Sequence, residues 1–482
     1  MKWSTLALGA VLVAAVAIGH ATSAIAQEIT SRGTVGPLAM PRTDPSSVFL
    51  GGVPSGELSP EPIPLGLRDA IDRGLEHNLG VLLQEQGLVS ARGSRWESLS
   101  GLLPDVSARL GQARRVASLA EFGFTSFPGI TSTSIGPFNV FDTRVVVSQP
   151  VLDISALYSA RAGRANLTAA QHDVKNAREL VVLVVANLYL SAQAADARLE
   201  TARAAVQTAD ALEGLTADLK ASGIAAGIDV LRAQVQQQTE RQRLVAAEND
   251  ASKARLQLAR AIGLPPGQAV TLTDAIPYAP LQQLTLEHAL ARAYTTRPDY
   301  LAAQAILAAA EANDRAAHTA LVPSLSVDGE VGRVGIKASD TDLIYGVSAS
   351  VHVPVFERGH QQARIARANA ELEQRRALAA DLKGRIDLEV RSAFLDVHAA
   401  EQALEAARIG RDLANQQLVQ SRDRFGAGVS GSLEVVQSQE AVAAANDNYT
   451  SALYAHNIAK ATLARAIGVA EDATKAYLGG TR

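Results

Sequence analysis

The chain is written twice. Leu67-Arg-Asp-Ala-Ile-Asp-Arg-Gly-Leu75 returns 219 positions later as Leu286-Glu-His-Ala-Leu-Ala-Arg-Ala-Tyr294, and Leu103-Pro104 returns at the same spacing as Val322-Pro323. Further on the spacing falls to 205. Gly223-Ile224 becomes Gly428-Val429, Asp229-Val230 becomes Glu434-Val435, Gln234 becomes Gln439, and Ala-Ile-Gly at 261–263 becomes Ala-Ile-Gly at 466–468. The change lies between residues 105 and 149, where the first copy holds about 14 extra residues. Each copy is roughly 200 residues, and the fold must accommodate two equivalent units.

Within a copy the apolar period changes twice. Residues 67–103 read as a helix that Pro104 stops. Residues 105–116 and 139–149 alternate as strands do, with Phe141, Thr143, Val145 and Val147 on one side and Asp142, Arg144 and Ser148 on the other. The second copy repeats this with Leu343, Tyr345, Val347, Ala349 and Val351 against Gly346, Ser348, Ser350 and His352. The hairpins therefore span about 105–149 and 324–353. Long helices follow over roughly 154–221 and 357–425, then Gly-rich turns, then shorter helices over roughly 228–262 and 433–467. The long helices carry 4–3 apolar seams, through Val181, Val185, Ala192 and Leu199 in one and Ile386, Val390, Ala393 and Val397 in the other.

A helix of 68 residues is about 100 Å long and each shorter one about 50–55 Å, so two short helices laid end to end match one long one. The expected molecule is a rod with β-hairpins at one end and helical turns at the other. The connecting segments gather around its middle. Met1 to Ala26 reads as a cleaved export signal, with Lys2 before the apolar run Leu6 to Ile18 and small residues at Ser23-Ala24-Ile25-Ala26. The division is a signal peptide over 1–26, a Pro-rich segment over 27–66, a first repeat over 67–263, an equatorial linker over 264–285, a second repeat over 286–468 and a tail over 469–482.

Composition excludes much chemistry. The chain has no cysteine, which removes disulfides, thiolate catalysis and an anchor acylated on cysteine. A net charge of −4 lacks the basic footprint of a nucleic-acid binder. The nine histidines form no zinc motif. Gly426-Ala-Gly-Val-Ser-Gly431 lacks the Lys-Ser/Thr of a phosphate loop. No nucleophile elbow or paired-carboxylate site is present, so neither catalysis nor a cofactor is expected.

Four strands of about ten residues suffice to span an outer membrane but not to close a barrel, and an open edge in lipid is prohibitive. If the strands are membranous, closure comes from several chains. Five of the nine phenylalanines, Phe122, Phe124, Phe127, Phe138 and Phe141, fall in the first hairpin as an aromatic girdle would, joined in the second by Tyr345. The alternative is a periplasmic coiled-coil scaffold or adaptor without a pore. An adaptor would need small-barrel β segments flanking its hairpin, and none is visible.

These features together resemble the TolC-like outer-membrane efflux protein family over about residues 65–470. The carriers are Leu284-Thr-Leu-Glu-His-Ala-Leu-Ala-Arg-Ala-Tyr294 with Pro298-Asp299, the Leu103-Pro104 and Val322-Pro323 pairs, and the turns Ser222-Gly-Ile-Ala-Ala-Gly-Ile-Asp-Val-Leu231 and Phe425-Gly-Ala-Gly-Val-Ser-Gly-Ser-Leu-Glu-Val-Val436. The resemblance implies a mainly α fold with a membrane β-barrel portion: a homotrimer with a 12-stranded barrel in outer-membrane lipid and a 12-helix barrel crossing the periplasm. It implies a periplasmic adaptor and an inner-membrane pump of RND, MFS or ABC type, in drug efflux or type I secretion. It also places a gate at the helical turns. Asp229 and Glu434 fall at the acidic positions of the tip motif, but Arg232 and Gln437 stand where a second acid is the family pattern. Closure by Arg232, Arg422 or Arg424 pairing with acids across protomers is therefore expected. Gly223, Gly227, Gly426, Gly428 and Gly431 serve sharp reversals. Gly223, Gly227, Gly428 and Gly431 are also the candidate groove for an adaptor hairpin.

Overall fold

A computed structural model of the chain describes residues 48–118, 134–223, 225–274, 284–355 and 359–472. The described residues from Phe49 onward form one compact unit. The signal segment, the first part of the Pro-rich segment and the girdle residues Phe122, Phe124 and Phe127 lie outside the described residues.

Each repeat begins with two helices where one was expected. The helix α1 (Leu67–His77) gives way to α2 (Leu79–Ser100), and in the second repeat α5 (Leu286–Thr296) gives way to α6 (Pro298–Thr319). Asn78 breaks the first pair: its backbone is extended (φ −68°, ψ 131°) and its side chain caps α2 by accepting from the Gly80 N–H at 2.9 Å. Arg297 stands 219 residues later with the same backbone (φ −61°, ψ 118°), forced out of the helical region by the proline that follows. Both side chains reach equivalent carbonyls. Asn78 Nδ2 donates to Ala261 O at 3.1 Å, and Arg297 Nη1 donates to Ala466 O at 3.2 Å.

The long helices α3 (Ile154–Ala221) and α7 (His360–Gly426) run the height of the unit, paired with α4 (Gly227–Ala261) and α8 (Ser432–Ala466). Asp153 caps α3 through the Ala156 N–H at 2.8 Å. The seams pack as their period requires: Val181, Val185, Ala192, Leu199, Ile386, Val390, Ala393 and Val397 are all buried. Two equatorial cores result. One packs Leu67 and Ile71 of α1 on Val181, Val185 and Tyr189 of α3; the other packs Ala289 and Ala293 of α5 on Ile386 and Val390 of α7. An apolar stretch of α3 reaches a mean hydropathy of 1.6. Its residues Val181, Val182, Val185 and Leu190 are wholly buried in the first core, which accounts for that stretch without a membrane. Gly263 and Gly468 close α4 and α8 with φ of 67° and 72°. A Cβ at either would come within 2.7 Å of backbone, so only glycine fits.

The strands are β1 (Ile63–Leu65), β2 (Asp105–Ser118), β3 (Ser134–Leu152), β4 (Val270–Leu272), β5 (Ser324–Lys337) and β6 (Asp340–His352). The short pair β1–β4 is parallel and ties the start of the first repeat to the segment that follows it. The other four form one antiparallel sheet in the order β2-β3-β5-β6. These strands exceed the ten residues expected, and the two hairpins share one continuous sheet through the β3–β5 pairing.

Candidate functional site

Register sorts the sheet into two faces. Ala108, Val145, Val331 and Tyr345 lie directly opposite one another across the four strands, and so do Val106, Val147, Gly329 and Val347. That face is apolar and open: Tyr345 is 81 % exposed and Val347 82 %. The other face carries Asp105, Ser148, Asp328 and Ser348 at one level and Arg109 and Arg144 two residues beyond Ser107 and Val146. On it Arg144 is held by Asp142 at 2.6 Å and by Glu330 at 3.0 Å, while Ser148 donates to Asp328 at 2.6 Å. His352 lies opposite Ser324 on the polar face, as its strand phase required. An exposed apolar face beside a hydrogen-bonded polar one is the arrangement of a sheet with lipid outside and water inside. Phe141 lies on the apolar face, but Phe138 does not. Three positions away, alternation turns it to the side of Asp142 and Arg144, so among the described aromatics of the proposed girdle only Phe141 and Tyr345 face outward.

At the opposite end, α3–α4 and α7–α8 reverse direction. Gly223 and Gly428 take φ of 75° and 74°. Gly227, Gly426 and Gly431 need no left-handed backbone, and a Cβ at Gly426 or Gly431 meets nothing within 4 Å. The glycine requirement is thus local at two of the five positions. The two turns are joined side by side. Ser432, fully buried at the start of α8, donates to Asp229 Oδ1 at 2.7 Å in the first turn of α4. Phe425 and Val435 pack on Leu212 and Ala233, an apolar contact between the same two hairpins. Ser421 and Ser438 bond at 2.7 Å just inside.

Arg232 lies 3.4 Å from Asp229, and Arg424 3.2 Å from Glu434. Both arginines find an acid within the chain. Arg232 stands one turn after Asp229 on α4, and the reversal at Gly428 brings the last turn of α7 beside the first of α8. Gln437 and Arg422 are exposed. Ser432 and Phe425 were not among the expected tip residues. Both lie inside the repeated tip phrase, but nothing local in the sequence says that the two turns touch.

The two ends define a duct wall: a membrane sheet continued by paired helices that close at a turn. The chain matches the family described as outer membrane efflux protein over residues 70–264 and 289–469, and it belongs to that family. It is 27% identical over 382 residues to the pyoverdine export outer membrane protein OpmQ of Pseudomonas aeruginosa, covering 76% of this chain and 77% of that one. The fold is that of the outer-membrane channel OprN (TM-score 0.71, 21% identity, 83% of this chain and 89% of that one). The outer membrane protein VceC of Vibrio cholerae is similar as well (TM-score 0.72, 16% identity, 83% and 96%). The protein is an outer-membrane exit channel of an efflux system, extending into the periplasm. The reading as a scaffold without a pore is set aside.

Proposed function

We propose that three copies of the chain assemble into a passive duct, with a 12-stranded barrel in the outer membrane and a 12-helix barrel below it, fed by an inner-membrane pump through a periplasmic adaptor. The observation that carries this is the open sheet. The outer edges of β2 and β6 are unpaired among the described residues, yet its apolar face calls for lipid, where free edges cannot persist. Four strands per chain and three chains close it. Residues 67–263 and 286–468 are the two wall repeats, joined by the linker 264–285. The cargo class, small molecule or polypeptide, is set by the pump.

The test is the native mass of the protein extracted from the outer-membrane fraction in mild detergent. Three chains per particle are expected; a monomer released without detergent would overturn the reading.

The gate lies at the turns. Asp229 accepting from Ser432 keeps the two hairpins of a protomer together, Glu434 paired with Arg424 braces the second hairpin, and three protomers repeat each contact around the constriction. A hydrogen bond to a charged group contributes about 1.5–3 kcal/mol and an exposed ion pair about 0.2–1 kcal/mol. The double variant D229A/E434A is therefore expected to raise single-channel conductance in planar bilayers severalfold. Unchanged conductance would remove these residues from the gate. The exposed glycines with no local requirement, Gly227 and Gly431, leave room for a helical hairpin of the adaptor.

A further inference from the structure

We propose that the junction between helices and sheet is a docking surface for anionic phospholipid of the inner leaflet of the outer membrane, with its strongest site in the groove of Arg364 and Arg367. The inference rests on the outer-membrane placement of the sheet and adds what holds the chain at a fixed depth.

The apolar outer face of β6 runs from Leu343 to Val351. Eight steps of about 3.4 Å each, tilted by about 40°, give roughly 21 Å of height, less than the band of roughly 25 Å such barrels present to lipid. The missing height is supplied at the junction. Val353 continues the alternation and is 53% exposed, and Leu103, Val151 and Leu321 at the ends of neighbouring elements are 48–57% exposed. The apolar band thus continues without a gap to the first turns of the helices.

Immediately beyond it the charge changes. Within two turns of the junction every helix carries exposed arginine: Arg95 on α2, Arg161 on α3, Arg315 on α6, and Arg364 and Arg367 on α7. The carboxylates in the same turns are Glu97 and Asp314, apart from the cap Asp153. None of the five arginines has a carboxylate partner among the described residues, and Arg161 instead lies 5.0 Å from the ring of Tyr158. Further down the rod arginines are commonly paired, as at Arg178, Arg198, Arg255 and Arg391. At about 1.5 Å per residue these five stand roughly 6–10 Å from the apolar edge, the thickness of a headgroup layer. Arg364 and Arg367 also line a groove of about 290 Å³ together with Ser159 of α3, Asn313 of α6 and Glu371 of α7, whose carboxylate is already paired with Arg375 at 3.3 Å. Two guanidiniums and an amide are donors suited to a phosphodiester, while the Ser159 hydroxyl donates to the Ser155 carbonyl at 3.0 Å. Continuity with the lipid face selects the headgroup as the occupant.

Full-length trimer, exchanged into mixed micelles of phosphatidylethanolamine and phosphatidylglycerol, is examined by native mass spectrometry. Wild type is expected to retain phosphatidylglycerol preferentially. R364Q/R367Q is expected to weaken that retention about thirtyfold, at roughly 1 kcal/mol per arginine, and R203Q, lower on α3, is expected to leave it unchanged. Equal retention by R364Q/R367Q and wild type overturns the site. So does displacement of the lipid by millimolar inorganic phosphate, since the groove would then be a site for free anions. Should R364Q/R367Q fail to assemble, wild type alone decides: equal retention of the two lipids overturns the proposal. A monomeric wild type would instead strike at the trimer reading, a distinguishable failure.

Discussion

Val347→Arg is expected to abolish trimer in the outer-membrane fraction, while Ser348→Arg leaves it in place. The two residues are neighbours on β6, and only the direction of the side chain separates them. Val347 sits at the centre of the apolar run from Leu343 to Val351, on the face shared with Val106 and Val147, and is 82 % exposed in the chain. An arginine at the midplane of a lipid-facing strand costs about 2–4 kcal/mol, so three copies cost roughly 6–12 kcal/mol per trimer. Ser348 lies opposite Asp328 on the polar face, where a guanidinium gains a carboxylate partner and stays in water. The check is the yield of trimer in membrane extracts of the two variants. Equal loss from both would mean that the facing of the sheet is misassigned.

Arg297→Ala is expected to be the most damaging truncation at the equator. Its side chain is 2 % exposed and binds Asp299 at 2.6 Å, Glu389 at 2.6 Å and the Ala466 carbonyl at 3.2 Å, so it joins the α5–α6 break to both α7 and α8. Removing one partner of such a pair leaves uncompensated buried charge, about 3–5 kcal/mol. Asn78→Ala, at the equivalent place in the first repeat, loses hydrogen bonds to the Phe49 and Ala261 carbonyls and is expected to cost about 1–3 kcal/mol. Heating trimer at neutral pH and following its dissociation should place Arg297→Ala about 10 °C below wild type, with Asn78→Ala between. The reverse order would show that the ion cluster does not hold the joint.

The pH dependence follows from Asp299. Burial pushes its carboxyl up, but the hydrogen bond and charge of Arg297 more than offset this and hold it below the ordinary 3.8. A carboxyl with a depressed pKa contributes stability in full above its unfolded value and loses it as pH falls through the folded one. The gap between wild type and Arg297→Ala should therefore be constant from pH 7 to 5 and close only below about 3.8. Glu179, raised by burial, acts with the opposite sign and leaves that gap unchanged because both proteins carry it.

The repeats made most of the wall legible. Once Leu103-Pro104 and Val322-Pro323 align, strand must follow helix in both copies, and the alternation of Phe141 to Ser148 and Leu343 to His352 sorts most of the sheet by itself. Phe138 shows where that reasoning was incomplete: clustering in sequence suggested a girdle, whereas a period of two sends alternate aromatics to opposite faces. The break at Asn78 was missed because 67–103 has no proline before Pro104. Its cause is tertiary, a side chain satisfied by the Phe49 and Ala261 carbonyls. Aligning it with Arg297, which precedes a proline, was the available signal.

What the sequence determined by itself was everything periodic: two repeats, the order of helix, hairpin, long helix and short helix, the seams, and the glycine reversals at Gly223 and Gly428. Those depend on spacing along one chain. What only the tertiary structure decided was which distant residues meet: Ser432 on Asp229, Phe425 between the hairpins, β3 against β5, and Arg297 among Asp299, Glu389 and Ala466. Apart from Arg297 on Asp299, such contacts join residues about 90 to 200 positions apart, and single hydrogen bonds, charges or apolar contacts carry them. They leave no period for the sequence to display, because their geometry exists only once the helices have packed.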